Sequence, residues 1–96
     1  MNNNHFSFHR RALLVFNALS PAEQGQVRGK LQSLEALPRS RWLTGELKPL
    51  PTEADTYLLR AGPDWRLIMR VPEEGPPEVL DIVHHDTLAA FAENAS

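Results

Sequence analysis

Apolar and polar residues alternate in three stretches of the second half of the chain. The stretches read TYLLRAG, PDWRLIMRV and PEVLDIVHH and lie between residues 56 and 85. A period of two is typical of strands that have one buried face. Turn-forming residues separate the stretches at 61–64 and 72–77, so the sequence predicts three consecutive strands joined as a meander.

The same alternation predicts which side chains share a face of this meander. In the middle stretch one face carries Trp65, Leu67, Met69 and Val71, and the other carries Arg66, Ile68 and Arg70. In the last stretch one face is predicted to carry Leu80, Ile82 and His84, and the other Val79, Asp81, Val83 and His85. His84 is therefore expected to point into the core, and His85 toward the face of Arg66.

A short edge strand and a first helix are predicted before the meander. Phe6 and Phe8 are spaced by two within residues 5–9. From Arg10 onward the apolar residues suit a short buried helix, and they are Leu13, Leu14, Phe16, Ala18 and Leu19. After the meander, a short helix capped by Asp86 and running to Phe91 is predicted to close the chain.

A second helix begins at an N-terminal capping signal. Ser20 supplies a capping hydroxyl, Pro21 suits the first helical position, and Glu23 completes a capping box. The apolar residues that follow at i, i+4 and i+7 form one face, and they are Val27, Leu31 and Leu34. Pro38 ends the helix, and the two helices are expected to pair antiparallel across the tight turn between them.

Two glycines interrupt this second helix. Gly25 and Gly29 each weaken a helix interior by about 1 kcal/mol relative to alanine. One interpretation is that they share a face to which the first helix or a bound segment comes close. The other is that the helix simply tolerates them.

Aromatic residues are interpreted as core anchors. Trp42, together with Leu47, is expected to hold the loop of residues 38–54 along the edge of the sheet. Trp65 and Tyr57 are expected to pack within the meander, because a lone aromatic on a half-buried strand is more often part of a core than a stacking platform.

Length and composition are those of one ordinary domain. The chain has 96 residues, of which 42% are hydrophobic and 23% charged, so a single domain over residues 1–96 is expected. It has no apolar run of bilayer length and no signal-peptide core, which favours the cytoplasm and argues against a membrane partner. It has no cysteine, so disulfides and thiolate metal sites are excluded.

Charge is distributed unevenly along the chain. Residues 1–50 carry seven basic and three acidic side chains, whereas residues 51–96 carry three basic and nine acidic ones. The net charge of −2 gives no overall positive field for non-specific phosphate binding. Any attraction for nucleic acid must come from a local patch.

The order of these segments resembles the RelE/ParE superfamily of toxins from bacterial type II toxin–antitoxin systems. The resemblance covers nearly the whole chain: short strand, helical hairpin, a loop with GELKPL, then YLLRAG, DWRLIMRV and VLDIVHHDTL. It implies an α+β fold with a short N-terminal strand, a helical hairpin packed on one face of an antiparallel sheet, and a short C-terminal helix. It also implies an antitoxin partner, and either the ribosome with its mRNA or DNA gyrase as the target.

The resemblance implies a set of catalytic residues for cleaving members. Arg66 matches the position that stabilises the phosphate, and Arg60 lies on the neighbouring strand where a second cation is expected. His85, at the end of the last strand, is the candidate for proton transfer, since histidine titrates near neutral pH. Lys48, Arg70 and His84 are the candidates for substrate binding.

Each of these residues also has an ordinary structural interpretation. Arg66 is often a solvated residue on an outer face, or a partner of Asp81 across the sheet. Arg70 suits a surface ion pair with Glu73 or Glu74, and His84 suits a hydrogen-bonded core position. A metal site at His84, His85 and Asp86 is not expected, because adjacent strand residues point to opposite faces. No cofactor is expected.

Two functions are therefore compatible with the sequence. The first is a ribosome-dependent, metal-independent mRNA endonuclease that represses translation. The second is a non-catalytic binding module, either a gyrase inhibitor of the ParE type or a degenerate relative. Thr56 and Leu58 stand where some cleaving members have lysines, which favours the second function, whereas the arginines and histidines favour the first. In either case an exposed apolar groove is expected for the antitoxin, and the isolated protein is expected to be prone to self-association.

Overall fold

A mixed five-stranded sheet with a helical hairpin on one face forms the α+β fold. The computed structural model describes residues 6–42, 45, 47–51 and 53–87. Its elements in chain order are β1 (Ser7–Phe8), α1 (Arg10–Ala18), α2 (Pro21–Glu35), a helical turn (Arg39–Arg41), β2 (Leu47–Pro49), β3 (Thr56–Ala61), β4 (Trp65–Arg70) and β5 (Glu78–His84). The strand order is β1-β5-β4-β3-β2.

The predicted meander is confirmed, and the sheet also contains one parallel pair. Strands β2 to β5 pair antiparallel with their neighbours, whereas β1 runs parallel to β5. The sheet was expected to be wholly antiparallel. The difference arises because β1 and β5 are not consecutive: the helical hairpin leads from β1 to β2 at the opposite edge, and the meander then brings β5 back beside β1, so no tight hairpin joins the two strands.

The tight turn between β3 and β4 depends on a glycine. Gly62 has φ of +90°, a conformation that other residues rarely adopt. A Cβ at this position would lie 2.5 Å from Oε1 of Gln26 in α2. The turn therefore needs glycine for its backbone, and an added side chain would also have to displace the end of the exposed Gln26 side chain.

A β-bulge in β5 changes the predicted faces of that strand. Ile68 pairs with Asp81, but the next residue, Met69, pairs with Val79, so Leu80 is the extra residue. Val79 is consequently fully buried and Leu80 only half-buried. The prediction that Leu80 shares a face with Ile82 while Val79 points away is wrong, because simple alternation does not hold across a bulge.

Helix α1 buries a different face from the one predicted. His9 caps it by accepting a hydrogen bond at Nδ1 from the Arg11 backbone N–H. Ala12 and the C-cap residue Leu19 are buried, whereas Leu13 is 45% and Leu14 64% exposed. The prediction of a buried helix is therefore correct for one face only, and two leucines remain at the surface.

Helix α2 begins and packs as predicted. Ser20 and Glu23 form the capping box, with hydrogen bonds of 3.2 and 3.0 Å to each other's backbone N–H. The face that was predicted to be buried is at most 7% exposed, and it consists of Val27, Leu31 and Leu34. Gln24 donates to the Phe16 carbonyl and so ties the start of α2 to the end of α1.

The segment after α2 is held to the core by Trp42, as predicted. Its ring is buried, its Nε1–H donates to the Leu34 carbonyl at 2.7 Å, and it lies 5.4 Å from the ring of Phe6. Part of this segment is a strand and not a loop, because Leu47–Pro49 pairs with β3 as β2. Its residue Leu47 is buried.

One hydrophobic core lies between the sheet and the helices. Apolar residues of β3, β4 and β5 meet the buried face of α2 there, and the largest fully buried ones are Leu34, Leu59, Leu67, Met69, Val27 and Val79. Tyr57 and Trp65 pack against this cluster, as expected. The helices cover this face of the sheet. Side chains on the opposite face therefore come from the strands.

The structure describes only the first residues of the predicted C-terminal helix. Residues 85–87 are helical, and the rest of the predicted helix to Phe91 lies outside the described residues. Within the described ranges, no helix is both long enough and apolar enough to cross a membrane.

The two helix glycines contact nothing that would exclude a side chain. A Cβ added at Gly25 or at Gly29 has no neighbour within 4 Å, and both residues are exposed. The first helix therefore does not approach them. Two interpretations of these glycines remain: the helix tolerates them, or a segment of another molecule binds close to them.

Replacing the two kinds of glycine is expected to have opposite effects on stability. Gly29→Ala is expected to raise the free energy of unfolding by about 1 kcal/mol, because alanine is the better helix former in open space. Gly62→Ala is expected to lower it, because the positive φ and the Gln26 contact both oppose a side chain. Urea unfolding of the two variants measures both effects, and a destabilised Gly29→Ala would show that α2 has an unrecognised neighbour.

Candidate functional site on the open sheet face

The face of the sheet opposite the helices, here called the open face, gathers basic side chains. Cross-strand partners lie on the same face, so the register assigns its members. Row by row across the sheet, they are Arg60, Arg66 and Val83; Lys48, Leu58, Ile68 and Asp81; and Thr56, Arg70 and Glu78, so the face also carries two acidic residues.

Arg60 and Arg66 are directly opposed on β3 and β4. The tight turn fixes this register, since Ala61 pairs with Trp65 and the next pair outward is Arg60 with Arg66. Both guanidinium groups reach the same turn carbonyl: Arg60 Nε donates to Gly62 O at 3.4 Å and Arg66 Nη1 at 3.3 Å. The sequence predicted two cations on neighbouring strands, and the structure brings them together.

No carboxylate of the described residues neutralises this pair. Asp81, the predicted alternative partner of Arg66, lies opposite Ile68, and its Oδ2 is 3.7 Å from Nε of Arg11 in α1. The ion-pair interpretation of Arg66 is therefore wrong. Like charges directly opposite each other destabilise a sheet, so the pair is held at an electrostatic cost.

Several donors of the two arginines remain available. A guanidinium has five N–H donors. Arg66 uses only Nη1, on the carbonyls of Gly62, Pro63 and Trp65, and Arg60 uses only Nε. The remaining N–H groups of these two opposed side chains have no acceptor among the described residues, and a guanidinium is suited to bind a phosphate or another oxyanion.

His85 lies next to this pair at the end of β5. Its backbone N–H donates to the Asp64 carbonyl at 2.7 Å, one step beyond the pair of Trp65 with His84. Arg66 pairs with Val83, so His85 comes two residues after that partner, at the start of the helical turn that directly follows β5. The ring is 52% exposed, and its Nε2 lies 4.0 Å from Oδ1 of Asp86.

His84 lies on the other side of the sheet. Its ring stacks edge to face on Trp65 with centroids 5.2 Å apart, and its Nδ1 accepts from the Asp86 N–H. His84 lies on the expected face of the sheet, but its side chain is 39% exposed, so it is not a core residue. This position removes it from the substrate-binding candidates on the open face.

Glu23 contacts Trp65, the residue on which the His84 ring packs. The Trp65 Nε1–H donates to its Oε2 at 2.8 Å, which joins the first turn of α2 to the start of β4. This hydrogen bond, the Ser20 backbone N–H and nearby His84 hold the pKa of Glu23 below its ordinary value. The contact fixes the strand that carries Arg66, yet no local pattern predicts it, because the two residues are 42 positions apart.

Lys48 and Arg70 are further from the arginine pair. Lys48 is opposite Leu58, two residues from Arg60, and borders the site from β2. Arg70 is four residues from Arg66 along β4, roughly 13 Å at strand spacing. In the described part of the chain no carboxylate lies within 4.0 Å of Arg70, so its predicted ion pair with Glu73 or Glu74 does not form.

The open face also has an apolar centre that the sequence did not single out. Leu58 and Ile68 are half-buried between the arginine pair and Arg70, and half-buried Val83 lies beside Arg66. Their position is visible in the alternation of the strands. It was missed because Ile68 and Val83 were treated only as neighbours of charged residues. Within the described residues, no cluster of three His, Asp or Glu side chains is arranged to hold a metal ion.

Comparison with known proteins gives a structural match only. The sequence matches no protein-family model, and no curated protein matches it. The fold is similar to a chain in the crystal structure of the RelB–RelE antitoxin–toxin complex from Methanococcus jannaschii, with a TM-score of 0.65 and 11% sequence identity. The match covers 88% of this chain and 96% of that chain. The protein therefore has a RelE-like toxin fold.

Removing one of the opposed arginines is expected to stabilise the free protein. Arg60→Gln is expected to raise the free energy of unfolding by a few tenths of a kcal/mol at low ionic strength, with the gain shrinking as salt screens the repulsion. Arg70→Gln is the matched control, because Arg70 faces Thr56 and Glu78 and its loss is expected to have the opposite sign. Urea unfolding at two salt concentrations measures both, and equal effects would contradict the repulsion.

The Glu23 contact predicts a pH-dependent contribution to stability. A carboxyl whose folded pKa is lowered stabilises the protein above its unfolded pKa, and this is lost as the pH falls through the folded pKa. Glu23→Gln keeps the shape but not the charge, so it is expected to be less stable than the parent at pH 7. The two proteins are expected to converge once the pH falls below the lowered folded pKa of Glu23. Unfolding curves across this range test the assignment, and a difference that persists in acid would refute it.

Proposed function

We propose that the protein is the toxin of a type II toxin–antitoxin pair and acts as a ribosome-dependent mRNA endonuclease in the cytoplasm. The observation that carries the proposal is the opposed pair of Arg60 and Arg66 on the open face of a RelE-like sheet. Two cations without a carboxylate partner are unfavourable in the free protein and favourable once an oxyanion lies between them.

Cleavage of RNA through its own 2′-hydroxyl fits these residues. The 2′-oxygen forms a bond to phosphorus while the bond from phosphorus to the 5′-oxygen breaks, so one proton leaves the 2′-hydroxyl and one is delivered to the 5′-oxygen. Arg66 and Arg60 stabilise the charge that grows on the phosphate oxygens. His85, beside them at the end of β5, transfers a proton. Lys48 and Arg70 contact flanking phosphates.

The partner in this proposal is a protein antitoxin. The structurally similar chain was crystallised in an antitoxin–toxin complex, and this relation is extended here to the present chain. The described part of the chain also exposes large apolar side chains on α1, which suits a protein that has a stable partner.

A second candidate function is a non-catalytic inhibitor that binds a protein such as DNA gyrase. The apolar centre of the open face favours it, because Leu58, Ile68 and Val83 suit a protein contact better than a phosphate backbone. Acidic Glu78 on the same face and Asp86 beside His85 also oppose a nucleic acid.

Controlled expression in a bacterial host is expected to separate the two functions. The parent protein is expected to arrest growth and to produce new mRNA ends in primer extension on translating ribosomes. Arg66→Ala is expected to reduce cleavage by about a hundredfold or more, since it removes a charge stabiliser of the transition state. His85→Ala is expected to reduce it by a similar factor, since it removes the proton carrier.

Arg10→Ala is the control, because Arg10 is an exposed arginine on α1, the helical side of the molecule. It is expected to retain full cleavage. Growth arrest without new mRNA ends, unaffected by His85→Ala, would establish the binding module. If the parent protein causes neither growth arrest nor mRNA cleavage, the toxin proposal as a whole is contradicted.

A further inference from the structure

Asp81 is the acidic residue on the strands of the open face that lies nearest to Arg66 by register. It pairs with Ile68, which is two residues from Arg66 along β4. Asp81 and Arg66 are therefore diagonal neighbours, roughly 7–8 Å apart and within reach of an arginine side chain. Glu78, the other acidic residue on these strands, directly faces Arg70 instead. Asp81 is thus the strand carboxylate best placed to neutralise Arg66.

Two other groups engage the Asp81 carboxylate. Its Oδ1 accepts a hydrogen bond from the Ile82 backbone N–H at 2.9 Å, and its Oδ2 lies 3.7 Å from Nε of Arg11. The side chain of Asp81 is 24% exposed, so this contact is partly shielded from solvent. Among the described residues, no arginine other than Arg11 lies within 4.0 Å of it. Both oxygens of the carboxylate are therefore occupied.

The start of α1 places Arg11 for this contact. The His9 backbone N–H donates to the Val79 carbonyl of β5 at 2.8 Å, which anchors the first turn of the helix beside the strand that carries Asp81. The helix itself does not favour an arginine here, because the positive end of the helix dipole opposes cations in the first turn. That turn contains no acidic residue either. The contact with Asp81 supplies the opposite charge that the helix lacks.

We infer that Arg11 is a positioning residue for the arginine pair: it neutralises Asp81 and so prevents that carboxylate from neutralising Arg66. The inference rests on the proposed function, because it concerns the same oxyanion-binding pair. Arg11 acts through Asp81 and is not itself a ligand of the phosphate. Its loss would leave an uncompensated negative charge beside Arg66, which attracts that guanidinium and repels an oxyanion.

A phosphate titration of the full chain tests this role without the ribosome. Inorganic phosphate is added to the ¹⁵N-labelled protein at constant ionic strength, and the side-chain Nε–H resonances of Arg60 and Arg66 are followed by NMR. In the parent protein both are expected to shift together. Arg11→Gln is expected to weaken phosphate binding about fivefold, the upper range for one exposed charge pair. Arg11→Lys keeps the charge and is expected to bind phosphate as the parent does.

A second substitution separates this role from other effects of losing Arg11. Arg11→Gln combined with Asp81→Asn is expected to recover the parent affinity, because the competing carboxylate is gone. Arg11→Gln combined with Glu74→Gln has the same net charge but keeps Asp81, so it is expected to stay weak. Glu74 is exposed in the loop between β4 and β5. Arg10→Gln, at the neighbouring exposed arginine of α1, is expected to leave the affinity unchanged.

Four results would overturn the inference. They are no shift of Arg66 in the parent protein, equal affinities of the parent and Arg11→Gln, no recovery with Asp81→Asn, and equal recovery with Asp81→Asn and Glu74→Gln. The third would show that Arg11 binds the anion directly. The fourth would show that only the net charge matters.

Primer extension on translating ribosomes distinguishes this inference from the proposed function. If the parent protein binds phosphate with the expected dependence on Arg11 but cleaves no mRNA, only the proposed function is contradicted. If the parent cleaves mRNA, Arg66→Ala does not, and Arg11→Gln binds phosphate and cleaves as the parent does, only the role of Arg11 is contradicted.

Discussion

The register of β3 against β4 is the constraint on which the candidate site depends. The turn at Gly62 is short and has a positive φ, so it leaves one way for the two strands to pair. That pairing sets Arg60 directly opposite Arg66. A slip of β4 by one residue would move Arg66 to the core face and bring buried residues such as Leu67 to the surface.

Contacts from helix α2 on the other face of the sheet help to maintain this register. Gln26 of α2 lies against Gly62, and Glu23 of the same helix accepts the Trp65 indole N–H at 2.8 Å. The capping box that starts α2 therefore does two things: it satisfies backbone donors at the helix end, and it aims Glu23 at the strand that carries Arg66. The fold and the site are connected through this one helix turn.

Local features of the sequence predicted most of the fold. The capping box, the buried stripe of α2, the meander and the Trp42 anchor each depend on residues within a few positions of one another, so a pattern reveals them. The parallel pairing of β1, the bulge at Leu80 and the exposure of Leu13 and Leu14 could not be predicted in this way. They depend on how distant elements meet.

The candidate site, like the fold, combines features that the local sequence predicts with features that depend on distant residues. The proximity of Arg60 and Arg66 follows from the length of a turn, whereas their placement on neighbouring strands was expected from the family resemblance. The face of the sheet on which His84 lies follows from alternation. What alternation does not provide is the absence of an ion pair between Asp81 and Arg66, since the two residues share a face and only the structure shows that Asp81 contacts Arg11 instead.

The central claim is that Arg60 and Arg66 hold one phosphate between them. The most direct measurement is a cryo-electron microscopy structure of the protein on a translating ribosome whose mRNA carries a 2′-O-methyl group that blocks cleavage. The account predicts the open face against the mRNA, with a backbone phosphate within hydrogen-bonding distance of both guanidinium groups. A complex in which the mRNA lies on another surface, or in which the arginines contact only protein, would contradict it.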